Sequence, residues 1–465
     1  MKFMMEQFLK ATGAKVLSEG TKVPCIGIST DSRTLKSGEL FFALNGPNFD
    51  GHEFIQEAIK KDAWGLVVEK VPGPVSRSLS PSWVFQVTNP LSTLGDLSLW
   101  WRSQFNIPCV AITGSNGKTT TKEMTASILS TRWPVLKTEG NFNNLIGLPL
   151  TLDRLDEKHG ACVLEMGMNA PGEIKRLTEI ANPTVGLVTN AASAHLEKLH
   201  TVEAVARAKN ELYETMSEQA VAVYNAEDIW MTKLVQNFKG KKIAFGMKSN
   251  CDVRFEHMEN VGFDSMELKL AVQGKILEAK LKTTGIHNVM NAMAACAAAS
   301  ALGLSLEAMK EGLESFTPLK MRFEHIQLAN GVRLVNDAYN ANPLSMEAAF
   351  QTVARAKRAG RFIAVLGDMK ELGDSSQKLH EEIGKKAVEN GVEKLFLIGE
   401  FSANIASGAG EAGLKKNQIF IAENQTALVE AVEKEMKAGD IVLVKASRSM
   451  QLEKIVEALK EEHGA

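Results

Sequence analysis

A glycine-rich segment with a lysine and two threonines is the stretch of this sequence best suited to chemistry. Residues 113–120 are Thr-Gly-Ser-Asn-Gly-Lys-Thr-Thr, and they follow the apolar run 109–112. A helical pattern comes next, with Met124, Ile128 and Leu129 on one face. A strand, a glycine-rich turn and a helix start form an anion site, because backbone N–H groups and the helix dipole point at the anion. A lysine can reach the outer phosphates and a threonine hydroxyl can hold Mg²⁺, so the segment predicts a nucleotide site.

The segment departs from the commonest phosphate-binding pattern at one position. That pattern has a glycine five residues before Gly117, where this sequence has Ile112. A short match of glycine, lysine and threonine also arises by chance, so the motif alone leaves phosphate binding open. The apolar strand pattern before it and the helical pattern after it favour a phosphate loop.

Three further polar side chains are expected near this loop. Glu165 ends an apolar run, and ligands gather at the carboxyl ends of parallel strands, so its carboxylate could reach Mg²⁺. His195 follows Asn190 at the next predicted strand end, and Lys209 lies on the apolar face of a helical pattern. Each has an alternative interpretation as a solvent-exposed or structural side chain, which the residues alone do not exclude.

Asparagine-rich stretches are candidate polar pockets. Asn143 and Asn144 lie in a Gly-Asn-Phe-Asn-Asn stretch that could equally be a turn. His287, Asn288 and Asn291 open an Ala-rich helical pattern, where they could bind a base or simply cap and fill a core helix. Towards the C-terminus, polar stretches again follow predicted strands, in strand-to-helix loops where function tends to lie.

The elements that must position these residues divide the chain into three predicted domains, at residues 1–106, 107–317 and 318–465. In the second, strands alternate with helices, which favours a parallel sheet covered by helices, and two alternating runs near 266–281 predict an appended antiparallel hairpin. The third repeats the strand–helix alternation as a second doubly wound unit. Strands are predicted at 40–44, 65–68, 110–113, 162–166, 185–189, 220–224, 333–335, 362–366, 395–398, 419–422 and 441–444.

Composition excludes several classes of function. The chain has 465 residues and a net charge of −2, so no overall basic field indicates binding to nucleic acid or to an acidic membrane surface. Its five cysteines are scattered without a metal-binding spacing, which predicts reduced core residues. The N-terminal residues lack a signal-peptide pattern, and the longest weakly polar run, 289–304, is too short to cross a bilayer. We therefore expect a cytoplasmic monomer without membrane insertion.

These motifs, in this order, resemble the ATP-dependent Mur ligases of peptidoglycan synthesis, and the resemblance covers essentially the whole chain. The shared core consists of residues 113–119, Glu165, Asn190, His195, Lys209, His287, Asn288, Asn291, Arg322 and Asp337. Four further stretches, 29–33, 38–52, 337–343 and 366–373, look like the branch that joins D-alanyl-D-alanine to UDP-N-acetylmuramoyl-tripeptide. The departures are small: Asn336 replaces a frequent Asp, Ala446 replaces a frequent Gly, and the phosphate loop with Ile112 is the family's own form.

The resemblance implies an α/β fold of three domains. An N-terminal α/β domain would bind the UDP substrate, a central P-loop domain with an ATPase-like parallel sheet and appended antiparallel strands would bind ATP, and a C-terminal Rossmann-like domain would close over both. The implied reaction transfers the γ-phosphoryl group of ATP to the terminal carboxylate of the tripeptide. The amine of D-alanyl-D-alanine then attacks the acyl phosphate, and phosphate leaves. The product would serve cell-wall synthesis, and hence cell shape, the cell cycle and cell division.

The resemblance also assigns roles to residues. The catalytic group would be Lys118, Glu165, His195 and Lys209. ATP would be held by Gly114, Ser115, Asn116, Gly117, Lys118, Thr119, Thr120, His287, Asn288, Asn291, Arg322 and Asp337. Two Mg²⁺ ions would bind at Thr119, Glu165 and His195, with a carbamate on Lys209 serving the second ion. The UDP substrate would contact Ser32, Arg33, His52, Asn143 and Asn144, and the dipeptide would contact Asn340, Asn342, Asp368, Met369 and Glu371.

Other functions remain open from the sequence. A sister ligase that adds a single amino acid, or a folate polyglutamating enzyme, differs only in the four branch stretches. A P-loop ATPase motor or transporter subunit is a different class, although the chain has one phosphate loop and no Leu-Ser-Gly-Gly-Gln signature. A nucleotide-binding scaffold without turnover is the third alternative. The retained residues Lys118, Thr119, Glu165 and His195 count against it without excluding it.

Overall fold

Three β-sheets with helices packed on them follow one another along the chain. The computed structural model describes residues 1–46, 49–70, 82–193, 196–261, 264–356 and 360–464. The helices are α1 (Met5–Thr12), α2 (Ile55–Lys60), α3 (Pro90–Ser103), α4 (Lys118–Ser130), α5 (Gly147–Asp153), α6 (Glu173–Ala181), α7 (Leu196–Leu199), α8 (Val202–Thr215), α9 (Ile229–Leu234), α10 (Ile286–Ala301), α11 (Leu306–Ser315), α12 (Pro343–Ala356), α13 (Ser376–Glu389), α14 (Ser402–Glu411), α15 (Gln425–Glu435) and α16 (Glu453–His463).

The strands are β1 (Lys15–Ser18), β2 (Ile28–Ser29), β3 (Leu40–Phe42), β4 (Gly65–Val68), β5 (Trp83–Gln86), β6 (Cys109–Thr113), β7 (Val135–Lys137), β8 (Ala161–Glu165), β9 (Val185–Val188), β10 (Val221–Asn225), β11 (Lys241–Gly246), β12 (Val253–Val261), β13 (Ser265–Val272), β14 (Lys275–Leu281), β15 (Glu324–Gln327), β16 (Arg333–Asn336), β17 (Phe362–Gly367), β18 (Lys394–Ile398), β19 (Ile419–Ala422) and β20 (Ile441–Lys445). The α/β class predicted from the sequence is confirmed.

The N-terminal sheet has the strand order β1-β5-β4-β3-β2, with β1 antiparallel to β5 and the other pairs parallel. Aromatic side chains fill one side of it, and the rings of Phe8 and Phe85 lie 4.5 Å apart between centroids. Such rings bury a large apolar area, which helps a short-stranded sheet to hold a core.

The central sheet has nine strands in the order β14-β13-β12-β11-β10-β9-β6-β8-β7. The pairs from β7 to β12 are parallel, and β12, β13 and β14 pair antiparallel. The predicted antiparallel hairpin is therefore confirmed, with Met266 opposite Leu281. Met266 and Leu270 of this hairpin are buried while Glu267 is exposed, which is the alternation that indicated a sheet with one covered face.

The C-terminal sheet has the order β15-β16-β20-β17-β18-β19, and β15 is its antiparallel edge strand. The predicted domain boundaries at 106 and 317 fall between strands of neighbouring sheets. Helix α3 contacts α1 of the first domain and also α5 and α6 of the second, so the boundaries remain predictions. Among the described residues, no helix is long and apolar enough to cross a membrane.

Candidate active site

A cleft of about 1260 Å³ lies where the carboxyl ends of central strands meet loops of the C-terminal domain. Most of the predicted ATP-binding and metal-binding residues line it. The predicted residues in its lining are Ser115, Asn116, Gly117, Lys118, Thr119, Thr120, Asn143, Asn144, Glu165, His287, Asn288, Asn291, Arg322, Asp337, Asn340, Asn342 and Glu371. Residues separated by more than 200 positions in the sequence therefore share one cavity.

The phosphate loop needs its two glycines. Gly114 and Gly117 have φ angles of +151° and +78°, a region that side chains disfavour. A Cβ atom at Gly114 would lie 1.8 Å from Thr189 Oγ1, and one at Gly117 would lie 2.2 Å from Asn291 Oδ1. The loop thus reaches its conformation only without side chains at these positions, and it ends where Lys118 begins α4.

Residues after β9 hold the loop in place. Asn190 accepts a hydrogen bond from Asn116 N at 2.9 Å through Oδ1, and its carbonyl accepts one from Ser115 N at 2.9 Å. Thr189 Oγ1 donates to Asn116 O at 2.6 Å. Asn190 therefore supports the shape of the loop, which explains why an asparagine at this strand end accompanies the glycine-rich motif.

Two lysines lie beside the loop, Lys118 half-buried and Lys209 buried. Lys118 donates from Nζ to Gly114 O at 2.7 Å, and burial lowers its pKa while the Glu165 carboxylate opposes that effect. Lys209 is 1% exposed, and burial, followed by the positive charge of Lys118, moves its pKa well below the usual range. The alternative of a solvated Lys209 is therefore excluded. Burial therefore disfavours the charged form of the Lys209 amine.

Glu165 is also buried, with 2% of its surface exposed, so the solvated alternative fails here too. Its Oε1 accepts from Asn143 Nδ2 at 2.9 Å, whereas Oε2 has no hydrogen-bond partner among the described residues. A buried carboxylate oxygen without a partner is costly and suits a hard cation. The described residues contain no cluster of three His, Cys, Asp or Glu side chains suited to a metal. Mg²⁺ commonly keeps water and phosphate oxygens as its other ligands. His195 lies outside the described residues.

The predicted adenine-side residues form a hydrogen-bonded chain. Asn288 Nδ2 donates to Thr283 Oγ1 at 2.8 Å, and Asn291 Nδ2 donates to Asn288 Oδ1 at 3.1 Å. Thr121 of the phosphate-loop helix donates to Asn291 Oδ1 at 3.2 Å. The two asparagines therefore connect α10 to α4, in addition to lining the cleft. Burial lowers the pKa of His287 to about 4, so its ring is neutral at pH 7.

The C-terminal domain touches the phosphate loop directly. Arg322 Nη2 donates to Thr119 Oγ1 at 2.8 Å, and Asn342 Nδ2 donates to Asn116 Oδ1 at 2.7 Å. The guanidinium of Arg322 lies 4.1 Å from the centroid of the Tyr339 ring, a cation–π contact. Tyr339 was missed as a functional residue, although it lies inside the asparagine-rich stretch that follows β16.

Asp337 is held within its own domain. Its Oδ2 accepts from Lys445 Nζ at 2.5 Å, and its Oδ1 accepts from Phe323 N at 3.0 Å. Lys445 is the last residue of β20, one position beyond the predicted strand 441–444, and the sequence did not indicate that it would pair with Asp337. The pair fixes one wall of the cleft.

Two residues predicted on the dipeptide side do not line the cleft. Asp368 is 1% exposed and accepts from the backbone N–H groups of Glu400 and Phe401, each at 3.0 Å. Met369 is buried in the hydrophobic core of the C-terminal domain. The carboxylate of Asp368 supports the loop before α14, and contact of these two residues with the dipeptide stays a prediction. Asn340, Asn342 and Glu371 do line the cleft.

The residues predicted to contact the uridine nucleotide lie in the N-terminal domain and do not line this cleft. Ser32 Oγ donates to Glu57 Oε2 at 2.7 Å, and both ring nitrogens of His52 are engaged, with Asp50 at 2.6 Å and with Glu69 N at 3.0 Å. Arg33 has 83% of its side chain exposed. Its guanidinium pairs with Asp31 Oδ2 at 2.7 Å, so Arg33 is the most exposed of the three side chains but is also engaged within the domain.

The two asparagines predicted on the sugar-peptide side do line the cleft. Asn143 holds Glu165, and Asn144 caps α5 by accepting from Gly147 N at 2.8 Å through Oδ1. The turn interpretation and the polar-pocket interpretation of this stretch are therefore both correct. Contact with the uridine substrate stays a prediction for all five residues.

Family models match three parts of the chain. A model described as the Mur ligase middle domain matches residues 112–299. One described as the Mur ligase, glutamate ligase domain matches 321–448, and one described as the Mur ligase family, catalytic domain matches 25–76.

Individual proteins are similar over nearly the full length. The chain is 35% identical over 457 residues to UDP-N-acetylmuramoyl-tripeptide–D-alanyl-D-alanine ligase of Bacillus subtilis (strain 168), covering 98% of this chain and 97% of that one. Crystal structure I of MurF from Acinetobacter baumannii superposes with a TM-score of 0.91, at 31% identity and over 99% of both chains. MurF ligase from Thermotoga maritima in complex with ADP gives a TM-score of 0.83, at 29% identity, over 94% of this chain and 98% of that one.

Proposed function

The chain belongs to the Mur ligase family, and on that premise we propose that it joins D-alanyl-D-alanine to UDP-N-acetylmuramoyl-tripeptide, converting ATP to ADP and phosphate. The amide bond is made in peptidoglycan synthesis, which links the enzyme to cell-wall growth, cell shape and division. The feature that supports this function best is the cleft in which the phosphate loop faces the C-terminal domain. One cavity can hold both ATP and the acceptor carboxylate.

The reaction brings two anions together, the triphosphate and the carboxylate of the tripeptide. Lys118 is held over the loop by Gly114 O, so its cation can offset charge on the phosphates as the phosphoryl group moves. Arg322, whose guanidinium reaches Thr119, would offset charge from the opposite side of the cleft. In the second step, the amine of the dipeptide attacks the acyl phosphate and phosphate leaves through a tetrahedral intermediate.

Mg²⁺ forms part of the proposal, because the residues present fit it. Glu165 offers a buried carboxylate oxygen without a partner, and Thr119 offers a hydroxyl on the first turn of α4. Oxygen ligands of this kind are the ones Mg²⁺ prefers. When bound, the ion would neutralise phosphate charge. His195 is the third residue that the resemblance assigns to the metals.

The proposal extends to a carbamate on Lys209. A neutral amine can attack CO₂, forming a new N–C bond and releasing a proton, and burial, which lowers the pKa of Lys209, favours the neutral form of its amine. The product is an anion, which would offset the neighbouring Lys118 charge and could serve a second metal ion. We place the enzyme in the cytoplasm, where ATP is available, with the uridine nucleotide held by the N-terminal domain near Arg33.

The test is phosphate release from the full chain with ATP, Mg²⁺, UDP-N-acetylmuramoyl-tripeptide and D-alanyl-D-alanine, omitting each in turn. We expect release only when all four are present. Lys118→Ala is the negative control, because it removes charge compensation from a loop without removing core volume. Release that continues without the dipeptide would overturn the assigned reaction. Release with D-alanine in place of the dipeptide would favour a sister ligase that adds one amino acid.

A further inference from the structure

A buried threonine connects the phosphate-loop helix to the end of β8. The side chain of Thr138 is fully buried, and its Oγ1 accepts from Glu165 N at 3.0 Å. Its carbonyl accepts from Lys122 Nζ at 2.6 Å, and its N–H donates to Val163 O at 3.1 Å. Lys122 lies on α4, one turn after Lys118, so a continuous chain of hydrogen bonds runs from the helix to Glu165.

The hydroxyl of Thr138 replaces a backbone group. Strands β7 and β8 are parallel, and the ladder continues just past β7 with Thr138 N donating to Val163 O. A regular parallel ladder would continue with Glu165 N donating to the carbonyl of Thr138. Here Oγ1 accepts that hydrogen bond, and the carbonyl is left to accept from Lys122. A residue without a side-chain acceptor at position 138 could not accept from Glu165 N through its side chain while its carbonyl accepts from Lys122 Nζ.

This exchange gives Glu165 a link to α4 in addition to the ladder with β6, in which Ile112 pairs with Glu165 and Met166 N donates to Ile112 O at 2.8 Å. Glu165 is the last residue of β8, with Oε1 held by Asn143 and Oε2 without a partner among the described residues. Thr119 lies on the first turn of α4, and Lys122 anchors the next turn of the same helix to Thr138. The Thr138 link is therefore a second constraint, beside the β6 ladder, on the separation of the two oxygen ligands, one on the helix and one on the strand.

We propose that Thr138 is a positioning residue that fixes the Glu165 carboxylate relative to the Thr119 hydroxyl, so that both can bind one Mg²⁺ ion. The inference rests on the metal site of the proposed function. Groups that orient metal ligands from behind typically contribute about 10- to 100-fold to metal affinity when they are removed. Thr138 acts through the backbone of a ligand and touches no substrate.

The experiment measures ADP binding to the full chain by calorimetry, with and without Mg²⁺, and compares Thr138→Val with Thr138→Ser. Valine keeps the shape of threonine without the acceptor, whereas serine keeps the hydroxyl. We expect the gain in ADP affinity produced by Mg²⁺ to fall about 10-fold in Thr138→Val and to be restored in Thr138→Ser. The affinity for ADP without Mg²⁺ should be the same in the wild-type protein and in both Thr138 variants.

Thr93→Val is the matched control, because Thr93 is a buried threonine of α3 whose hydroxyl, among the described residues, donates to Asn89 O at the start of the same helix. It should leave the gain from Mg²⁺ unchanged. A Thr138→Val protein with a lower melting temperature but a wild-type gain from Mg²⁺ would show a purely structural role and overturn the inference. A wild-type protein that gains nothing from Mg²⁺ would overturn the proposed metal site together with this inference. Neither result depends on the identity of the amine substrate, which the phosphate-release assay tests separately.

Discussion

The imidazole of His287 combines a place in the cleft with an altered protonation equilibrium. Burial lowers its pKa from 6.5 to about 4, the carboxylate of Asp337 opposes the effect, and the ammonium of Lys445 adds to it. The unfolded chain therefore takes up a proton near pH 6.5, whereas the folded chain does so only near pH 4. Between these values the unfolded state binds more protons, so the free energy of unfolding falls as the pH falls.

We predict that His287→Gln reduces the acid sensitivity of folding. From the two pKa values, the wild-type protein loses at most about 2 kcal/mol of stability through this group between pH 7 and pH 5. Glutamine does not titrate, so urea unfolding at the two pH values should show a smaller loss in the variant. An equal loss in both proteins would mean that the ring is already accessible to protons in the folded state.

At the residue scale, the sequence predicted which side chains could take part in the chemistry better than it predicted which residues those side chains contact. Glu165 and Lys118 could be placed at a strand end and a helix start, because those positions follow from local pattern. The sequence could not show that Asp368 turns away from the cleft. That orientation depends on Gly399, where a Cβ would lie 2.4 Å from Asp368 Oδ1. The two loops in contact are more than 30 positions apart in the sequence, so no local sequence pattern predicts this contact.

At the scale of elements, Asp368 joins the end of β17 to the loop before α14. Its carboxylate accepts from two backbone N–H groups and pairs with Lys370 Nζ at 2.8 Å. The loop can approach so closely because Gly399 has a φ of +122° and no side chain. The carboxylate of Asp368 thus holds the loop before α14 close to the end of β17.

We predict that Asp368→Ala destabilises the protein by about 2–4 kcal/mol, because it leaves two backbone donors without their acceptor in a buried site. Asp368→Asn retains one carbonyl oxygen and should lose less. Thermal unfolding measures the effect, and the affinity of the folded protein for ADP should be unchanged in both variants. A large loss of ADP affinity without destabilisation would instead favour the original prediction that Asp368 belongs to the substrate site.

Among the strands, burial favoured prediction more than length did: β12 has nine residues but is largely half-buried or exposed, and the sequence did not indicate it. Strands such as β6, β8 and β17 are fully buried runs of five or six residues, and the sequence identified them. Strand β7 has three residues and is partly exposed, so its sequence is too short to show the alternation of apolar and polar residues that predicts a strand. The link through Thr138 follows β7 immediately, and for that reason it became visible only in the structure.

At the scale of the molecule, few polar contacts join the C-terminal domain to the phosphate loop. Arg322 bonds Thr119 and Asn342 bonds Asn116, and nearby Glu197 N donates to Glu371 O at 3.2 Å. Hydrogen bonds of this kind contribute only about 0.5–1.5 kcal/mol each. Across the same cleft, Thr352 Oγ1 lies 3.4 Å from His287 Nδ1, and the ring of Phe323 lies 5.6 Å from that of His287. Ligands that touch both domains add to these contacts and should favour the closed arrangement.

We predict that a non-hydrolysable ATP analogue and UDP-N-acetylmuramoyl-tripeptide together make the enzyme more compact, with a smaller radius of gyration in small-angle X-ray scattering. The lower limit for this radius of gyration is roughly 23 Å, the value expected of a single compact chain of this length. The double variant Arg322→Ala, Asn342→Ala should compact less, because it lacks both side-chain bonds to the phosphate loop. Closure matters for the chemistry, since a closed cleft keeps water from the acyl phosphate.

A radius of gyration unchanged by both ligands would count against closure as a step in the reaction. Equal compaction in the double variant would show that other contacts drive closure.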